Sequence, residues 1–135
     1  MTLHPHRRLV VVGLMALLAA AVPALNAQRG RWVRLGSAHV DGKMDHDNIH
    51  VGIRDGRFRA IQLRVRHGDV EFLRVVIHYA DGAPEEVAVA QRIPSGGATQ
   101  PIDLRGRERY IRSVELWYAK ARWRTRPEVV LLGMR

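Results

Sequence analysis

The sequence predicts an all-β fold, an antiparallel β-sandwich of about seven to nine short strands behind a signal peptide. Three observations carry that expectation. Apolar and polar residues alternate with a period of two through Phe58 to Arg66 and again through Arg109 to Tyr118. Turn residues recur at close intervals, Asp55-Gly56, His67-Gly68-Asp69 and Asp81-Gly82 among them. After the first 27 residues no segment has a period of 3.6, and no internal repeat is present. These patterns point to a fold and assign no activity.

The first residues read as an address. His4, His6, Arg7 and Arg8 make a basic start, Leu9 to Ala21 is an unbroken apolar run, and small residues follow at Ala24 and Ala27. That order is the mark of a secretory signal peptide, and the run is shorter than the about 20 residues a membrane span requires. Cleavage is expected after Ala27, with Ala24 as the alternative, leaving residues 28–135 as a single domain that is periplasmic or secreted. No later stretch is apolar enough to span a bilayer.

Within 28–135 the elements follow in order. Trp32 to Leu35 is a short strand ended by Gly36. The polar run Asp41 to His50 leads into Ile49, Val51 and Ile53. In Phe58 to Arg66, Ile61, Leu63 and Val65 face inward, while Gln62, Arg64 and Arg66 face water. In Val70 to Tyr79, Leu73, Val75, Ile77 and Tyr79 occupy one face and Val70, Phe72 and Val76 the other, which implies a central strand covered on both sides. An edge-like strand is expected around Val87 to Ala90, then a loop at Pro94-Ser-Gly-Gly97 and a short strand at Pro101 to Leu104. The long strand Arg109 to Tyr118 sets Tyr110, Val114, Leu116 and Tyr118 on its inner face and Ser113, Glu115 and Trp117 on its outer face. A basic loop, Arg122 to Arg126, precedes a last strand from Glu128 to Leu132 that ends at Gly133.

The order Ile61-Gln-Leu63, His67-Gly-Asp-Val70, a strand ending at Tyr79, a Gly-rich loop before Ile102, and Arg109-Tyr-Ile-Arg-Ser-Val114 resembles a family of small exported bacterial proteins of unknown function. The likeness runs from about Leu35 to Gly133. It implies a β-sandwich and an exported location, and no catalytic residues. The absence of cysteine departs from members that hold a cysteine pair.

Composition narrows the partners. The formal charge is +9, and of 22 basic residues only Lys43 and Lys120 are lysine. A positive exported domain favours anionic envelope components such as acidic glycans or lipid headgroups, with nucleic acid excluded by location. The arginine bias also has a plainer reading, since arginines serve as the polar alternates of solvated strands. With no cysteine, stability rests on the packed core and thiol chemistry is absent.

Three groups of residues are candidates for chemistry. Trp117 and Trp123, interleaved with Arg122, Arg124 and Arg126, combine aromatic surface with arginine forks that match carboxylate, phosphate or sulfate, so they are the expected ligand-binding residues. The alternative is that one tryptophan packs in the core while the arginines solvate a loop. Asp41, Asp45 and Asp47 are the candidate calcium ligands, against a solvated turn whose acids bond their own backbone. Zinc on His46 and His50 would need the chain to turn, because four strand residues separate two side chains by about 13 Å. No nucleophile elbow supports a triad such as Ser37, His39 and Asp41, and the catalytic expectation is none. A hydrolase would need His39, His67 or His78 to meet an acid in one pocket. The competing binding class is a structural or protein-interaction domain that pairs a partner strand at the Glu86 to Ala90 edge.

Overall fold

The computed structural model describes residues 30–40, 46–119 and 126–135. The expected leader, Asp41, Asp45, Arg122, Trp123 and Arg124 lie outside the described residues.

Two antiparallel sheets face each other. One has the order β1 (Trp32–His39), β10 (Glu128–Met134), β4 (Ala60–Arg66), β8 (Ile102–Asp103). The other runs β2 (His46–His50), β9 (Arg109–Tyr118), β5 (Val70–Tyr79), β6 (Glu85–Val87). In that second sheet each edge is divided: β3 (Arg57–Phe58) pairs with the start of β9, and β7 (Gln91–Ile93) with the start of β5. This division is why ten strands are described where fewer were expected.

The core between the sheets is built from the alternating residues of both. Ile61, Leu63 and Val65 of β4 are fully buried, as are Val129 and Leu131 of β10 and Val114 and Leu116 of β9. Each such side chain contributes about 1.5–3 kcal/mol when taken out of water. Contact is closest at Gly133, where a Cβ would lie 2.6 Å from Phe58 Cδ1 and 2.8 Å from Leu35 Cδ1, so only glycine lets these two side chains meet over β10.

Two bulges correct the expected facing. In β5 the register slips between Phe72 and Arg74, so alternation restarts at Leu73. Val70, Phe72, Val75, Ile77 and Tyr79 therefore all point into the core, and Leu73 is 52% exposed. The strand is central to its sheet but is not covered on both faces. A second slip falls between His78 and Tyr79, opposite Arg112, and it buries Ile111 where simple parity placed Tyr110. Elsewhere the bounds move. The first strand continues through Gly36 to His39, with a bulge at Leu35. Ile53 leaves the strand pattern for a 3-10 turn, Ile53–Asp55, and is 65% exposed. The edge strand expected over Val87 to Ala90 lies earlier, at Glu85–Val87.

Candidate functional site

An open groove of about 940 Å³ lies at one end of the four-stranded sheet. Four chain segments build it. Arg59 and Ala60 stand where β3 crosses to β4, Asp103 and Leu104 end β8, Gly106 to Glu108 form the turn before β9, and Met134 ends β10. Backbone bonds hold these segments together: Arg59 N–H donates to Met134 O at 2.9 Å, and Leu104 N–H donates to Arg59 O at 2.9 Å. The turn adopts left-handed backbone at two successive residues, Gly106 (φ 85°) and Arg107 (φ 72°). That conformation is ordinary for glycine and costs energy for arginine, so the fold holds Arg107 on the rim against its own preference.

The groove is polar at its rim and apolar at its floor. Ala60, Leu104 and Met134 supply the floor. Arg59, Arg107, Asp103 and Glu108 supply the charges, and none of the four side chains has a hydrogen-bond or ion-pair partner among the described residues. Such an arrangement can chelate an anion with two guanidinium forks, accept hydroxyl hydrogens on two carboxylates, and cover an apolar ring face. Gly30 closes one side, so near that a Cβ there would lie 2.6 Å from Arg59 Nη2 and 2.8 Å from Met134 Cγ.

From the groove the outer face of the sheet continues as a basic surface. Residues paired in register share a face, and here the rows are Trp32, Met134 and Ala60, then Arg34, Leu132 and Gln62, then Ser37, Val130 and Arg64, then His39, Glu128 and Arg66. Val130 and Leu132 are largely covered in the middle of this face, and arginines stand on both sides. Arg34 bridges to Glu128 at 3.2 Å and bonds Ser37 Oγ at 3.0 Å. Arg64 and Arg66 are exposed with no ion-pair partner among the described residues.

Trp117, Arg126 and Asp47, the expected site residues that are described, do not line the groove. Trp117 is half-buried on the outer face of the six-stranded sheet, paired with His46 on one side and Arg74 on the other. The His46 ring lies 4.4 Å from it and the Arg74 guanidinium 4.6 Å. Flanked from both neighbouring strands, Trp117 offers an edge rather than an open face. Its arginine is thus Arg74, from β5, and Arg74 is bridged to Glu86 at 2.8 Å. Arg126 is exposed, two residues before β10. Of the calcium candidates only Asp47 is described, and its Oδ2 accepts the Tyr118 hydroxyl at 2.6 Å. No group of three or more His, Asp or Glu residues among those described has the spacing of a metal site.

One acidic residue gathers two histidines. His46 Nε2 lies 2.8 Å from Glu115 Oε2, and His78 Nε2 bonds Glu115 Oε1. Burial works to raise the Glu115 pKa, but the hydrogen bonds from His46 and His78 outweigh it and hold the carboxyl below its usual range. His78 therefore does meet an acid, on an open sheet face. His39 and His67 lie on other elements.

Sequence reasoning missed the groove because its residues are scattered over about half the chain. The one local signal was the unmatched turn Arg105-Gly-Arg-Glu108, in which a basic and an acidic residue follow a glycine.

A family model described as Domain of unknown function (DUF2541) matches residues 9–133. No curated protein matches the chain. Among solved structures, the fold is similar to AlgX of Pseudomonas aeruginosa, with a TM-score of 0.54 and 15% identity. The likeness covers 78% of this chain and 27% of that one, so the chain spans little more than a quarter of that protein. At this identity the similarity concerns the fold alone. No helix among the described residues is long and apolar enough to cross a membrane.

Proposed function

The chain belongs to the DUF2541 family, and from that premise we propose that it is an exported, non-catalytic binding module that takes an acidic glycan of the cell envelope. The carrying observation is the groove, with two arginines and two carboxylates, all unpaired among the described residues, around an apolar floor. A sugar acid has the complementary chemistry: a carboxylate for Arg59 and Arg107, hydroxyls for Asp103 and Glu108, and a C–H face for Leu104 and Met134. The exposed Arg64 and Arg66 beyond it, on successive rows of the same face, supply a track for further anionic units of a polymer. Periplasmic or secreted location and the absence of catalysis belong to this reading.

The competing reading, partner-strand addition at the Glu85–Val87 edge, has little length to offer, because β6 has three residues.

Calorimetric titration of the purified domain with polygalacturonate tests the proposal, with dextran as the neutral control and vesicles of anionic phospholipid as the second arm. Binding to polygalacturonate alone is expected. Arg59→Gln with Arg107→Gln should weaken it about tenfold to a hundredfold, since a hydrogen bond to a charged group contributes about 1.5–3 kcal/mol. Equal binding of the double variant, or binding to vesicles in place of the glycan, would defeat the assignment.

A further inference from the structure

Of the five histidines that follow the leader, three fall on one sheet face although they are spread from residue 46 to residue 78. Register sets this outer face of the six-stranded sheet out as rows: His46, Trp117 and Arg74; then Asn48, Glu115, Val76 and Glu86; then His50, Ser113 and His78. Ser113 is small and nearly buried, so His50 and His78 flank a dip in the surface. The side chains of His46 and His78 are 38% and 30% exposed, and each turns its Nε2 to the single carboxylate of Glu115. Their Nδ1 atoms have no partner among the described residues.

The charge of this face depends on those imidazoles. With them neutral, Glu86 and Glu115 are balanced by Arg74 and Arg112, so the carboxylates and guanidiniums of the face cancel. Protonation of all three makes the face positive and adds N–H donors at Nδ1. Arg57, beside Tyr110, adds a further cation at one end of the face. Glu71 and Arg92 continue the face beyond Leu73 with opposite charges, and Arg112 stands exposed at the β9 bulge.

We propose that this face is a second, acid-dependent contact site for the same anionic glycan, with its charges nearly balanced around neutral pH and made strongly cationic by protonation of His46, His50 and His78. The proposal rests on the ligand class read from the groove, and it places the second contact on the opposite side of the sandwich. One domain would then join two polymer strands in an acidic envelope and hold one in a neutral medium.

The test is titration with polygalacturonate at about pH 5.5 and about pH 7.5, on either side of the usual histidine pKa of about 6.5 and with the polymer ionised in both. The wild-type domain is expected to take up about twice as much polymer-bound protein cross-linking in acid, read as turbidity, and to bind about tenfold tighter there. His46→Gln with His78→Gln should match wild type at the higher pH and lose the acid gain. Glu115→Gln, which removes one negative charge from the face and keeps the side-chain shape, should bind more tightly at the higher pH. An acid gain that survives the double histidine variant, or no gain in the wild type, overturns the inference while leaving the groove standing. Binding seen only in acid and lost with the histidines supports it and overturns the groove reading. No binding at either pH overturns both.

Discussion

Tyr118 of β9 donates its hydroxyl to Asp47 Oδ2 at 2.6 Å, which ties the edge strand β2 to the middle of its sheet through a residue that is 1% exposed. The bond to a charged acceptor is made where water has little access, so it is of the stronger kind. Tyr118→Phe is expected to cost about 1.5–3 kcal/mol in urea denaturation. Asp47→Asn should cost less, because the amide oxygen still accepts. An unchanged midpoint for Tyr118→Phe would show that the bond adds nothing to folding.

The bulge in β5 makes neighbouring apolar residues unequal. Leu73 is 52% exposed and Ile77 is fully buried. Leu73→Thr should change stability by no more than about 0.5 kcal/mol, as an exposed substitution does. Ile77→Ala should cost about 2–5 kcal/mol through lost burial and the cavity left behind. Similar costs for the two, measured by thermal unfolding, would place Leu73 in the core and remove the bulge.

Glu115 makes the stability depend on pH. Its carboxyl is held below the usual range, so the folded state keeps the charged form more readily than the unfolded chain does. The resulting stability is full above the unfolded value of about 4.3 and is lost as pH falls through the lower folded value. The melting-temperature gap between wild type and Glu115→Gln should therefore be steady from about pH 7 to 5 with respect to this carboxyl and narrow below about pH 4. A gap that widens toward low pH would reverse the sign and show the carboxyl to be protonated by folding.

Local pattern determined a good deal of this protein. Period-two alternation, read residue by residue, places Ile61, Leu63 and Val65 inside and Arg64 and Arg66 outside, and the structure does the same. The Asp81-Gly82 turn lies where the chain reverses from β5 into β6, with positive φ at Gly82, whereas Asp55-Gly56 closes a 3-10 turn after which β3 runs on along β9 in the direction of β2. Such features depend on a few adjacent side chains and their own backbone, so they are legible without the fold. Tertiary structure alone decided which residues meet. A bulge adds one residue to one strand and reverses every later side chain, and only the partner strand's register fixes where it falls, as at Leu73 and Arg112. Strand pairing likewise joined Trp117 to Arg74 of β5, and drew His46 and His78 to Glu115. The groove needed four segments to arrive at one sheet end. These pairings are set by burial of the two inner faces against each other, a constraint on the whole chain that no single stretch of it contains.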